Sequence, residues 1–546
     1  MATIEAVAPD APAPDTSLRL TLARVLLTPL CALLIAVISF RDFLAAALGE
    51  DWLPRIQLHL QFNSLPFLFL FLPGTFILYA LYRRTAVANW ILTFAGLAFY
   101  ATAGLIYLVP LVFTCVFDYV IGAYLARAQH ERRRRIAFIA SVTVQLFLLS
   151  VFKYAGWLST ELAGALAAVG MGVNFGHLAL PLPPGISFYT FHTISYTADI
   201  YQRKFQPRGR LIDYVTFVGF FPQLIAGPIA RAAELLPQIA APRPAVSAAQ
   251  MEEALWLMAW GLFKKISLAD NLGLVVEQAT AELAQPHHVG VGYVFMIAFA
   301  GQIYCDFSAY TDIARGIAKL FGIELPRNFL TPYFATSPSD FWQRWHISLS
   351  RFVRSYLYNP IVVRAVRKRA ARGLPVSPRA LASPLPFLAV FVWPTLLTMS
   401  LLGLWHGAGF GFIAWGFYHG ALLVLYRVVP IDELLRRRFK RAGMVLAALV
   451  MFFLVCLGLI LFRAAAADIL PLFASLASWP PFSLPLLLIG ALVLATDLIG
   501  YRRGVEFVDV YPSLPWWMRT LLFVAAFYGI VFFGPGQKYE FIYFQF

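Results

Sequence analysis

Charge is scarce in this sequence: only 13% of its 546 residues are Asp, Glu, Lys or Arg, against 60% hydrophobic. A soluble globular protein carries about 25% charged residues, so a water-soluble enzyme and a disordered chain are both excluded. Cysteine is scarcer still. Cys31, Cys115, Cys305 and Cys456 stand singly in apolar stretches with no paired spacing, which excludes a secreted disulfide scaffold. The signatures GxSxG, P-loop, GxGxxG and HExxH are also absent. A self-contained serine hydrolase, an ATP-driven pump and a zinc protease are therefore unsupported. Nor do the apolar runs alternate with polar residues as the strands of a β-barrel would.

What fills the chain instead is long continuous apolar sequence. Runs cover Leu20 to Phe40, Phe62 to about Tyr82, and then 87–125, 136–152, 211–229, 254–275, 289–321, 385–426, 443–462, 483–500 and 519–534. A bilayer core about 30 Å thick needs roughly 20 apolar residues per helix, which allows about ten to thirteen crossings. The expected fold class is an all-α polytopic membrane protein.

The formal net charge of +15 would suggest nucleic acid in a soluble protein. Here roughly two-fifths of the Lys and Arg fall in four clusters between hydrophobic runs: Arg132–Arg135, Arg203–Arg210, Arg364–Arg372 and Arg436–Arg441. That is the pattern of cytoplasmic loops. It places 154–180 and the loop near 463–482 on the outer face. Two stretches are too polar for simple spans: 181–206, with Pro181, Pro183, Pro184 and Gly185 ahead of His192 and Asp199, and 301–360, with Asp306, Asp312, Arg315, Arg344 and His346. Charged or irregular structure at membrane depth survives only when buried in protein or lining a wet cavity. A polar interior is expected.

Nine histidines are present. His59, His130, His177, His287 and His288 fall in expected loops, and the His287–His288 pair lacks the companion ligands of a zinc site. His192 and His419 sit on helical runs and read as interior residues. His346 and His406 stand out because each follows a tryptophan, Trp345 and Trp405, and because Gly403, Gly407 and Gly409 around His406 would let another chain or a ligand approach the backbone. A neutral imidazole is the usual general base near pH 7.

Several longer motifs carry a resemblance. Asp306-Phe-Ser-Ala-Tyr-Thr-Asp312, Pro326-Arg-Asn-Phe329, Asp340-Phe-Trp-Gln-Arg-Trp-His-Ile-Ser-Leu-Ser-Arg351 and Leu404-Trp-His-Gly-Ala408 resemble the membrane-bound O-acyltransferases, in particular the bacterial branch that acetylates alginate or transfers D-alanine to teichoic acid. Phe62-Asn-Ser-Leu-Pro66, Pro184-Gly-Ile-Ser-Phe-Tyr189, Phe221-Pro-Gln-Leu-Ile-Ala-Gly-Pro228 and the closing Phe541-Ile-Tyr-Phe-Gln-Phe546 are similar to it as well. The likeness covers 60–546, which leaves 1–59 as an extension with one extra membrane helix.

The resemblance implies a ring of membrane helices around a thin central core, with re-entrant segments and funnels from both faces. It implies that His406 is the catalytic histidine and His346 the second functional one, with Trp345 and Trp405 fixing the two rings. Asp306, Asp312, Arg344 and His192 are supporting candidates. The implied donor is acetyl-CoA, a substrate rather than a bound cofactor, with no metal. Arg367, Lys368 and Arg369, or Arg203 and Lys204, are expected to hold its phosphates. The implied partners are an extracytoplasmic hydrolase-like acetyltransferase and polysaccharide assembly proteins, with the chain in the cell inner membrane. Transfer of D-alanine or another acyl group is the alternative within this class, and a transporter without catalysis the alternative outside it.

The chain departs from the family pattern in the added residues 1–59, in His192 where a Gln is common, and in Val362-Val-Arg-Ala-Val-Arg-Lys-Arg369 where a Gly-Gly-Asn-Arg stretch is usual.

Overall fold

In the computed structural model the described residues are 27–32, 35 and 60–546, except 174–179, 208, 286–289, 480–482, 536–538 and 543–546. His59, His177, His287, His288 and most of the expected first helix lie outside them. Among the described residues the chain is helical, with no strand.

Among the described residues seven helices are long and apolar enough to cross a membrane: Leu105–Arg127, Glu131–Lys153, Val291–Leu320, Pro384–His406, Ile431–Arg463, Leu484–Arg503 and Trp516–Phe533. Val291–Leu320 is the central one, since 78% of its most apolar window is buried in protein, against 11% for each of the last two. Its two faces carry large side chains such as Phe299, Phe307 and Tyr310 into one continuous core.

The remaining apolar runs are not simple spans. The run 211–229 breaks into a nine-residue helix, Leu211–Gly219, a turn at Phe220 and a short helix Phe221–Leu224. Nine residues reach only about 14 Å. Every residue from Ile212 to Leu224 except Val215 is buried, so this segment is core rather than a lipid-facing crossing. The run 254–275 passes through a π turn at Lys264–Ala269 between Ala248–Phe263 and Asp270–Leu283. That turn brings two lysines inward. Lys264 pairs with Asp312 at 2.7 Å, and Lys265 with Asp306 and Asp270 at 2.8 Å each.

Two faces follow from the helix ends. Arg134, buried at the start of Glu131–Lys153, donates to the Leu125, Ile200 and Tyr201 carbonyls, so three helix ends meet there. Asp199 accepts from the Tyr356 hydroxyl at 2.8 Å and ties the segment before Asn359–Ala370 to the same face. At the other end of Glu131–Lys153, about 35 Å away by helical rise, the chain meets the end of Trp393–His406. The stretch expected as an outer loop at 154–180 contains a helix, Ala155–Ala168, with no buried residue.

Candidate active site

His406 is the last residue of the helix Trp393–His406. That helix pairs with Phe410–Val428 through glycines. A Cβ on Gly403 would lie 2.0 Å from the Phe412 carbonyl oxygen, and one on Gly416 2.1 Å from that of Met399. The glycines near His406 thus serve approach by the chain's own next helix: even at Gly407 a Cβ would strike the Phe412 ring at 2.1 Å. The His406 ring is held edge-on by Trp415 at 5.2 Å and Phe462 at 5.3 Å, with Trp405 at 4.9 Å.

His346 arrives from a different element. It caps the short helix Ile347–Val353 with φ 43° and ψ 54°, a left-handed conformation that L-residues other than Asn, Asp and Gly seldom adopt. Asn328 fixes this turn. Its carbonyl oxygen accepts from Ile347 N at 2.8 Å, and its side-chain oxygen accepts from the Ser348 hydroxyl at 2.6 Å. Ser348 Oγ in turn accepts from Ile229 N at 2.9 Å. Strain of this kind persists where the surroundings over-determine it, and it gathers at functional sites.

The His346 ring meets Phe307 at 4.6 Å and Trp405 at 6.4 Å. Burial pushes its imidazole down to about 3, so the ring is neutral at ordinary pH and offers one N–H. Trp405 lies against both histidines, and Trp345 packs on Phe341 and Phe329 behind them.

Two cavities flank this centre. A large one of about 530 Å³ is lined by Arg354, Tyr358, Arg427 and Asp432 together with Trp342, Met399 and Leu402. That size is usual for a ligand site, and so is the apolar depth beneath a few polar groups. The second, about 100 Å³, is lined by Lys153, the Pro183-Pro184-Gly185 turn, Trp405 and His406. Gly185 has φ 74° and a Cβ there would lie 2.4 Å from the Leu224 carbonyl oxygen, so only glycine fits the turn. A pocket of about 10 Å³ beside His406, among Trp345, Trp415, His419 and Phe462, has room for no more than about one water.

The other candidates from sequence go elsewhere. Asp306 and Asp312 belong to the lysine ion pairs. Arg344 binds Asp340 at 2.6 Å and lies over the Tyr501 ring. His192 is fully buried beside Phe217 at 5.7 Å and lines none of these cavities. Arg367 and Lys368 are exposed on Asn359–Ala370, and Arg369 donates to the Pro375 carbonyl. Arg203 and Lys204 are exposed past the end of Ile186–Tyr201. Neither cluster lines the large cavity; Arg354 and Arg427 do. Sequence reasoning did not single out those two, nor Asn328, Lys153 or Trp415. Only the matching of Pro326-Arg-Asn-Phe329 to a motif hinted at Asn328.

A helical membrane protein with two buried Trp-His pairs beside two cavities is the class the fold and site define. Comparison with known proteins identifies that class. The sequence profile of the MBOAT, membrane-bound O-acyltransferase family, matches residues 97–374, a stretch that takes in His346 and ends before His406. The chain is 34% identical over 405 residues to the probable alginate O-acetylase AlgI of Pseudomonas aeruginosa, across 74% of this chain and 72% of that one. It is 32% identical over 435 residues to the peptidoglycan O-acetyltransferase of Helicobacter pylori, across 74% and 77%. With the teichoic acid D-alanyltransferase of Bacillus subtilis it shares 26% identity over 51% of its length and 68% of the relative's. The chain belongs to the membrane-bound O-acyltransferase family. It is an O-acyltransferase, and the transporter alternative falls away.

Proposed function

We propose that this enzyme moves an acetyl group from cytoplasmic acetyl-CoA, through the inner membrane, to a hydroxyl presented at the outer face for O-acetylation of an exported polysaccharide. One observation carries this reading: the helix Trp393–His406 borders both cavities, with Met399 and Leu402 in the wall of the large one and His406 in the wall of the small one. Leu402 and His406 are one turn apart, about 6 Å along the axis. A thioester lodged beside Leu402 in the large cavity is thus one helical turn from a base in the wall of the small one.

Arg354 and Arg427 in the wall of the large cavity make no ion pair within 4 Å among the described residues, and phosphates of CoA suit them. The acceptor O–H gives its proton to the His406 imidazole as its oxygen attacks the thioester carbonyl carbon. The His346 N–H donates to the oxyanion that forms. The carbon–sulfur bond then breaks, and the imidazolium returns its proton to the departing CoA thiolate, leaving an acetyl ester and CoA thiol. The relatives' names, alginate O-acetylase and peptidoglycan O-acetyltransferase, point to sugar polymers as acceptors. An extracytoplasmic hydrolase-like acetyltransferase and polysaccharide assembly proteins are the partners this route requires.

The test is His406→Ala in inverted membrane vesicles supplied with labelled acetyl-CoA. Transfer should be lost while CoA binding to the purified variant stays within twofold of wild type. Near-normal turnover would refute the assignment.

A further inference from the structure

A helix ends with up to four carbonyls that lack partners, and a glycine in the left-handed conformation just beyond the end is the common local remedy. The helix that delivers His406 has a glycine there and does not use it so. Gly407 is extended, with φ −159° and ψ 155°. Its carbonyls are satisfied from a point about 250 residues away in sequence. Lys153 Nζ donates to the carbonyl oxygens of Trp405 at 2.6 Å and His406 at 2.9 Å, and the Tyr154 hydroxyl donates to that of Leu404 at 2.9 Å. The Lys153 ammonium also lies 5.9 Å from the centre of the Trp405 ring, the ring shared by both histidines.

We propose that Lys153 and Tyr154 form a clamp that positions His406 for acyl transfer, with the lysine charge fixing the end of its helix where the outer cavity begins. The inference rests on the reading of His406 as the base. A cation at a helix C-terminus is favoured by the helix dipole, and an ammonium is worth more there than a neutral donor because its hydrogen bonds to carbonyls are charge-assisted. Lys153 is the terminal residue of Glu131–Lys153, and the same chain segment continues directly into the outer helix Ala155–Ala168. The clamp therefore joins the backbone that carries His406 to the start of Ala155–Ala168. Lys153 itself lines the outer cavity with His406, so its charge is at the site and not merely beneath it.

The clamp acts through His406, so Lys153 is a positioning residue, and the charge gives it a signature that packing alone lacks. All four native cysteines are buried, so Lys153→Cys introduces the one thiol at the outer cavity. Treating cells with 2-bromoethylamine before preparing vesicles converts that thiol to a thioether ammonium close in length to lysine; bromoethane gives the neutral counterpart. Lys153→Cys should lower the rate of CoA release at saturating acetyl-CoA by about a hundredfold, with the KM for acetyl-CoA within twofold of wild type. The aminoethyl adduct should recover at least tenfold of that loss, and the ethyl adduct none of it.

A Lys153→Cys rate within threefold of wild type overturns the clamp, and so does equal recovery by the charged and the neutral adduct. If Lys153→Cys fails to insert, Tyr154→Phe decides alone: it should slow saturated turnover several-fold at unchanged KM, and an unchanged rate overturns the proposal. His406→Ala in the same vesicles separates the two ideas. Loss of transfer there with a normal Lys153→Cys rate removes the clamp only, whereas normal transfer by His406→Ala removes the catalytic reading beneath it.

Discussion

His346 combines a left-handed backbone with a buried, neutral ring, and the two features suggest a way to separate its roles. Asn tolerates the left-handed region and keeps a side-chain N–H donor, whereas Ala tolerates neither the conformation nor the role. His346→Asn should therefore retain at least tenfold more single-turnover activity than His346→Ala. The Ala variant should lose about 10²–10³-fold, the usual loss for one oxyanion donor. Equal rates in the two variants, measured as CoA release from acetyl-CoA, would reduce His346 to ring packing. The histidines themselves were legible from sequence because each sits in a Trp-His pair inside a polar or glycine-rich stretch. Their supports were not. Asn328 and Lys153 act through backbone groups 19 and 253 residues away, and no periodicity in sequence records which carbonyl a side chain will reach.

At the scale of the element, the hairpin Trp393–His406 and Phe410–Val428 depends on close backbone approach. Helices in a membrane gain no hydrophobic drive from meeting each other, so small residues that admit van der Waals contact do the work. Gly416→Ala places a methyl 2.1 Å from the Met399 carbonyl oxygen and must push the helices apart. It should cost about 1–3 kcal/mol of stability, read as a lower melting temperature in detergent, with transfer reduced because His406 shifts with its helix. A melt and a turnover both equal to wild type would mean the helices separate without consequence. The run 211–229 teaches a related point. Its hydropathy equals that of a crossing, yet it is a broken, buried segment, because a run of apolar residues cannot by itself distinguish a lipid neighbour from a protein one.

For the whole molecule, the deciding feature is which basic residues reach the large cavity. Arg354 and Arg427 line it, while Arg367 and Lys368 lie exposed and Arg369 half-buried on the neighbouring helix. Hydrogen bonds to charged groups contribute about 1.5–3 kcal/mol, and each 1.4 kcal/mol is tenfold in affinity. Arg354→Gln with Arg427→Gln should therefore raise the KM for acetyl-CoA by about tenfold or more at nearly unchanged kcat. The triple neutralisation of Arg367, Lys368 and Arg369 should change KM less than threefold. The opposite order, measured in inverted vesicles, would move donor binding to the exposed cluster.

Composition and hydropathy alone determined that this is a helical membrane protein, because burying so many apolar residues in about 30 Å of lipid leaves few other folds. Motif order determined the family, since several long motifs occur in sequence. Which polar residues work together was decided by tertiary structure. Asp306 and Asp312 stand in one of the family-like motifs and were supporting candidates for the site, yet they neutralise Lys265 and Lys264. Lys153, which nothing in the sequence singled out, holds the end of the helix that carries His406. The physical reason is that a charge in a low-dielectric interior must find its partner wherever the fold brings one within about 3 Å, and that distance exists only once the helices are packed.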